Sequence, residues 1–165
     1  MKKEGDTLEK NISLMAYIFH ALPIEKALPK LLEKILEQRK KALIKFDSTE
    51  ELEHFNTVLW TYHPKSFLPH GTDLGNKPEK QPVLLTSSQE TLKNPPNSPS
   101  IIIFFSLEEL SSFLEFSSSF EKIIFISTSL SEKNKNLLNT LSKKLPLFLH
   151  IQDKDGKWIK NTPQA

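Results

Sequence analysis

Short apolar runs alternate along the chain with stretches in which apolar side chains recur at helical spacing, and this alternation predicts strands and helices in turn. After a polar leader over residues 1–11, the run from Ile12 to Phe19 is bounded by charge on one side and Pro23 on the other and predicts a central strand. Between Ile24 and Lys41 the residues Leu28, Leu31, Leu32, Ile35 and Leu36 mark one face of a helix, and Pro29 falls near its first turns, where it is tolerated. Ala42 to Phe46 predicts a second strand. Ser48 then stands three residues ahead of Glu51, the spacing of a capping box, and predicts a helix to about Thr61. Residues 63–82 hold four of the eleven prolines and two of the four glycines and predict a long irregular connection. Val83 to Thr86 predicts a third strand, residues 87–100 a Pro/Ser/Asn-rich loop, and Ile101 to Phe105 a fourth strand. Leu107, Leu110, Phe113 and Leu114 predict a short helix, and Lys122 to Ser127 a fifth strand. Leu137, Leu138, Leu141 and Leu145 predict a last helix from near Ser131, followed by a sixth strand over Leu147 to Gln152 and a turn at Asp155-Gly156. Bare apolar runs such as Ile-Ile-Ile-Phe-Phe are the mark of strands buried on both faces. The expected architecture is therefore α/β, a mainly parallel sheet covered on both sides by helices, in one domain over residues 12–160 with a tail at 161–165.

The composition of the 165 residues, 38% hydrophobic and 25% charged, agrees with one globular domain. Lys plus Arg number 22 against 20 for Asp plus Glu, so no chain-wide field drives non-specific nucleic-acid binding, and little or no direct DNA binding is expected. The absence of cysteine excludes disulfides, thiolate nucleophiles, zinc knuckles and iron–sulfur ligation. Lys2 and Lys3 are followed by Glu4, Asp6 and Glu9, and His20 interrupts the first apolar run, which makes a poor signal peptide; with no apolar stretch of ~18 residues either, the expectation is a cytoplasmic chain with no membrane span. The glycines fall at Gly5, Gly71, Gly75 and Gly156, none between a predicted strand and helix. Neither a dinucleotide-binding G-x-G-x-x-G nor a P-loop can be written from them, which argues against conventional nucleotide binding.

Among five histidines, the only tight group of possible metal ligands is His63, His70 and Asp73. Its spacing matches no standard ligand pattern, and a structural histidine in a proline-bound loop is the simpler reading. No G-x-S-x-G elbow is present. Ser127, Ser129 and Asp47 follow strands and so border the crevice at the carboxyl end of a parallel sheet, where a small hydrolase or transferase would place its chemistry; turn and cap roles account for them more simply. Trp60 is more informative. The helix from Ser48 buries a stripe of Leu52, Phe55, Leu59 and Tyr62, and at about 100° per residue Trp60 lies well off its centre. Ser66-Phe67-Leu68-Pro69-His70 follows, with two large apolar side chains in a Pro/Gly loop. Two readings stay open: an exposed apolar patch for a partner, or a satellite cluster of Trp60, Phe67 and Leu68 that pins the loop to the helix. From Ser131 onward seven lysines stand against three acidic residues, with Trp158 between Lys157 and Lys160. Such a section is either a solvated face or a surface for an acidic, apolar-ended peptide or a phosphate backbone.

Leu59-Trp60-Thr61, Ser66-Phe67-Leu68-Pro69-His70-Gly71, Gln81-Pro82-Val83-Leu84-Leu85-Thr86, Asn97 and the ending Gln152 with Asp155-Gly156-Lys157-Trp158-Ile159-Lys160 together resemble the chi subunit family of the bacterial DNA polymerase III holoenzyme. The resemblance spans about residues 12–160. It implies a three-layer α/β/α domain, Rossmann-like but with no nucleotide site, no cofactor and no catalysis of its own. It implies that Trp60 and Phe67 contact the psi subunit of the clamp loader, with Leu68, Pro69 and His70 shaping the loop. It also implies a surface for the acidic, phenylalanine-ended tail of single-stranded DNA-binding protein, carried here onto Lys135, Lys143, Lys144, Trp158 and Lys160. In this chain lysines replace the arginine and tryptophan common in the family's last helix, Ile126-Ser127-Thr128 replaces its Phe-Asp-Gly, and Leu149-His150-Ile151-Gln152 replaces its Tyr-Trp-Gln-Gln.

Overall fold

The bare apolar runs form the middle of one eight-stranded sheet. In the computed structural model, which describes residues 12–63, 67–114 and 120–161, the six expected strands are β1 (Ser13–Phe19), β2 (Ala42–Lys45), β4 (Val83–Thr86), β5 (Ile101–Phe104), β6 (Lys122–Ser127) and β7 (Leu147–Gln152). Two short strands extend the edges, β3 (Gly71–Thr72) and β8 (Trp158–Asn161), and the order across the sheet is β3-β4-β2-β5-β6-β1-β7-β8. Every pairing is parallel except β7 with β8. The expected leader and residues 162–165 of the expected tail lie outside the described residues.

Among the described residues five α-helices cover the two faces: α1 (Ile24–Glu37), α2 (Thr49–Thr61), α3 (Gln89–Lys93), α4 (Leu107–Phe113) and α5 (Glu132–Ser142). The two-residue period of the strands sorts the core. Leu14, Leu43, Ile102 and Ile123 point to the side of α3, α4 and α5, whereas Ile44, Ile103, Ile124 and Phe46 point to the side of α1 and α2. The result is the three-layer α/β/α domain expected. Each fully buried Leu, Ile or Phe contributes roughly 1.5–3 kcal/mol through burial, and the strand centres hold most of them. No helix among the described residues is long and apolar enough to cross a membrane.

The helix starts are set by serine. Ser48, Ser88, Ser106 and Ser131 each accept a hydrogen bond from the backbone N–H three residues on, satisfying a donor that the first turn leaves open. The Ser88 cap nucleates α3 inside a segment expected to be loop. At the other end, α1 stops at Glu37 rather than Lys41, because Arg39 takes a left-handed backbone conformation (φ 60°) and Lys40 N–H turns back to the Ile35 carbonyl. Asn97 is fully buried, and its side-chain amide donates to the carbonyls of Ala42 (3.1 Å) and Gln81 (3.0 Å), tying the chain before β4 to the start of β2. The final hairpin forms around Asp153, whose Oδ1 accepts from the N–H groups of Asp155 and Lys157, while Gly156 supplies the positive φ (88°) that the turn needs. That turn returns the chain as β8.

Candidate functional site: an aromatic platform at one sheet edge

Helix α2 buries Leu52, Phe55 and Leu59 against the sheet, which leaves the next residue, Trp60, rotated off the buried stripe and 55% exposed. Phe67, in the loop leading to β3, is 69% exposed, and its ring centroid lies 5.8 Å from that of Trp60. The residues that follow turn inward. Leu68 is buried in the core under α1 and α2, Pro69 is half-buried, and His70 is buried beneath the indole at 4.8 Å between centroids. Its Nδ1–H donates to the Leu68 carbonyl (2.8 Å), an atom that can only accept, so Nδ1 carries the proton; Nε2 lies 3.0 Å from the Asn56 side-chain amide. His70 thus fastens the loop to α2 while Trp60 and Phe67 stay outside. Of the five residues expected at this surface, two present rings to solvent and three form the support. Ser66 lies outside the described residues.

The support also accounts for the possible metal ligands. His70 is engaged with Leu68 and Asn56, and Asp73 Oδ2 accepts from the hydroxyls of Thr86 (2.5 Å) and Thr91 (2.8 Å), so the carboxylate holds β4 and α3 together. Among the described residues no group of three potential ligands converges.

The crevice at the strand ends, about 390 Å³, is lined by Pro23, Ile24, Glu25, Asp47, Glu51, Phe55, Phe105, Ile126, Ser127 and Thr128. Ser127 Oγ donates to the Ser129 carbonyl (2.8 Å) and accepts from the Ser129 N–H, so its proton goes to a backbone turn and not to a base. Burial holds the Asp47 carboxyl above its ordinary range, the Glu109 carboxylate and then Glu51 push it further, and Lys45 opposes them. An acid that holds its proton more tightly when folded loses stability as pH rises from below its unfolded value through its folded one. Asp47→Asn should therefore raise the melting temperature at pH 7 relative to the parent, and the gain should shrink as both are melted at progressively lower pH. Equal gains at pH 7 and pH 3 would show that charge is not the cause.

The C-terminal residues do not gather in one place. Lys135 pairs with Glu132 on its own helix (3.3 Å), whereas Lys143 and Lys144, exposed after α5, have no carboxylate in ion-pairing range among the described residues. Trp158, 48% exposed, presents its ring edge-on to Tyr17 (centroids 6.1 Å) and Phe19 (5.2 Å). These two rings belong to the α1 face of the sheet, while α5 packs on the opposite face. Trp158 also pairs with Gln152 at the end of β7, and Lys143 and Lys144 precede the start of that strand. Lys160 pairs with His150 in the same ladder. Sequence reasoning missed the partners of Trp158: Tyr17 and Phe19 read as strand core, and only their register beside β7 brings them to the indole.

The geometry defines a three-layer α/β domain without a glycine-rich anion loop, carrying a pair of exposed rings on a helix-and-loop platform. The C-terminal domain of the DEAD-box protein Dbp5 shares this fold, with a TM-score of 0.53 at 12% identity over 89% of this chain and 94% of that one. Residues 14–139 match the DNA polymerase III chi subunit family (HolC). The chain is also 33% identical over 166 aligned positions to the probable DNA polymerase III subunit chi of Rickettsia prowazekii (strain Madrid E), covering 93% of this chain and 96% of that protein. The chain belongs to the DNA polymerase III chi subunit family, as the resemblance of its central motifs implied.

Proposed function

We propose that this chain is a non-catalytic accessory subunit of the polymerase III holoenzyme in the cytoplasm, joining the clamp loader, through psi, to single-stranded DNA-binding protein during replication. The observation that carries the reading is the Trp60–Phe67 pair, two large rings 5.8 Å apart and each more than half exposed, on a loop fixed from beneath by His70. Clustered aromatics on a rigid support are the usual anchors of a protein interface. Psi would cover this pair, while Leu68, Pro69 and His70 hold it in shape. The acidic tail would meet the C-terminal section, where Lys135, Lys143, Lys144, Trp158 and Lys160 offer cations and an indole. Lysines hold carboxylates as point charges, without arginine's bidentate fork. Linking two modest contacts makes the second intramolecular and raises the local concentration of polymerase at coated template.

The test is reconstitution with the psi subunit and single-stranded DNA-binding protein of the same organism, read by size-exclusion chromatography. A complex containing all three is expected, with the tail contact weakening as salt is raised from 50 to about 300 mM, as screening of a charged contact requires. Separate elution from psi would overturn the assignment of the aromatic platform. Salt-insensitive binding of the tail would overturn the charged surface.

A further inference from the structure

Strand β8 ends the sheet at the margin opposite the aromatic platform, and among the described residues nothing pairs with its outer edge. The hairpin fixes which backbone groups that edge presents. Asp153 N–H donates to the Lys157 carbonyl (2.7 Å), and in an antiparallel ladder hydrogen-bonded pairs alternate with unbonded ones. Ile151 with Ile159 is therefore the next bonded pair, while Gln152 with Trp158 and His150 with Lys160 are unbonded. The backbone N–H and C=O groups of Trp158 and Lys160 thus point away from β7 and are free to take a further strand. The opposite margin offers no such row: β3 is two residues long, and the Thr72 carbonyl is already taken by Gly75 N–H (3.0 Å).

The middle of β8 is apolar on both faces. Ile159, across from Ile151 on the α5 side, is 52% exposed, and Trp158, beside Phe19 on the α1 side, is 48% exposed. A second β8 fits this edge. When two copies pair antiparallel around a two-fold axis at Ile159, Trp158 of each exchanges both backbone bonds with Lys160 of the other, and all the free groups are satisfied. Ile159 then faces Ile159 of the second copy across an unbonded pair, where Cα atoms approach to about 4.5 Å. The two Trp158 residues become diagonal neighbours on the other face, ~7–8 Å apart and within reach of aromatic side chains. No charge stands directly opposite a like charge in this register, since position 160 faces Trp158 and Lys157 faces position 161.

We propose that β8 joins two copies of this chain edge to edge, around a two-fold axis at Ile159, so that their sheets run on as one. Because β3 cannot take a strand, the contact closes as a dimer and does not propagate as a filament. Both Trp60–Phe67 pairs stay free at the outer margins. The contact is small. An indole carries at most ~250 Å² and here half of it is exposed, so Trp158 and Ile159 of both copies cover roughly a few hundred Å², below the ~1,200 Å² of stable specific interfaces. A lysine in an edge strand also discourages pairing, and the two at position 160 lie on the other diagonal. The dimer is therefore of the transient class, with a Kd on the order of 0.1 mM that tightens as salt screens the lysines. The pairing does not depend on the psi or tail readings, although it competes with the tail for Trp158.

The test is sedimentation velocity of the full chain between about 5 and 500 µM, over which a Kd on that order takes it from monomer to mostly dimer. Ile159→Asp, which sets two carboxylates face to face at the axis, should weaken the dimer at least about tenfold. Lys160→Pro should do the same, because it removes an outward N–H that β7 does not use, as an edge strand tolerates. Its melting curve should stay near the parent's. The chain has no cysteine, so Ile159→Cys gives one thiol per copy, at a spacing that suits a disulfide. With diamide as oxidant it should crosslink at least about tenfold faster than Lys154→Cys, on the exposed hairpin turn. Equal crosslinking rates would overturn the proposal, as would a chain still monomeric at the highest concentration or a dimer that loosens with salt. A dimer that survives Lys160→Pro but dissociates with Trp60→Ala lies at the aromatic platform, which overturns it too. Should Lys160→Pro fail to fold, the crosslinking rates decide alone.

Discussion

Trp60→Ala should weaken binding to psi by at least about thirtyfold while leaving the melting temperature within about a degree of the parent. Truncating an aromatic anchor at the centre of an interface costs about 2 kcal/mol or more, which is that factor in affinity. The indole is more than half exposed and lies off the buried stripe of α2, and the ring contacts it gives up are those with Phe67 and His70. Surface substitutions of this kind stay near ±0.5 kcal/mol in stability. Titration calorimetry with psi, beside a thermal melt of each protein, separates the two effects. His70→Ala provides the contrast: it breaks the bonds to Leu68 and Asn56, so it should lower stability and affinity together. Unchanged affinity for Trp60→Ala would remove the main support for the platform as the psi surface.

The largest expected loss of stability comes from Glu109→Ala. The Lys45 side chain is 2% exposed, and its Nζ lies 2.9 and 3.2 Å from the two Glu109 oxygens and 2.7 Å from the Phe46 carbonyl. Removing the carboxylate leaves the buried ammonium hydrogen-bonded to the Phe46 carbonyl alone, with Asp47 as its remaining counter-charge, at a cost of about 3 kcal/mol. For a domain of this size that lowers the melting temperature by roughly 6–12 °C. Glu109 also accepts from Gln89 and repels Asp47, so its removal loses one bond and relieves one repulsion, and these partly offset. Adding Lys45→Met to the Glu109→Ala chain should restore most of the loss, because an apolar side chain of similar length needs no counter-charge. Urea unfolding of the parent, the single and the double variants gives the comparison. A single variant as stable as the parent would show that Lys45 does not depend on its partner.

How much of this was legible in the sequence follows from which forces are local. Strands β2, β4, β5 and β6 are buried on both faces, so Ile101 to Phe104 and Lys122 to Ser127 announce themselves as apolar runs. Strands β3 and β8 and helix α3 exist because neighbours complete them: two residues beside β4, four beside β7, and five residues started by a serine cap. None of the three is an apolar run: β3 is Gly-Thr, β8 is Trp-Ile-Lys-Asn and α3 is Gln-Glu-Thr-Leu-Lys. The exposure of Trp60 was legible because helical phase alone sets it. The support was not, since His70 is fixed by Asn56, a residue on the solvent side of the predicted stripe. The lysines after α5 and Trp158 looked like one surface because they are close in sequence. The sheet order places β7 between them, with the helix on one face and the indole on the other. Conversely, Tyr17, Lys30 and Trp158 are far apart along the chain and meet only because β1 lies next to β7.

That sheet order also sets a distance. The loop bearing Phe67 runs into β3, the first strand across the sheet, and Trp158 sits in β8, the last. Eight strands spaced by ~4.8 Å put about 34 Å between those margins, and their accumulated twist turns the margins away from each other. A protein seated at one end would be held clear of a protein seated at the other by this stiff spacer, so neither guest would exclude the other.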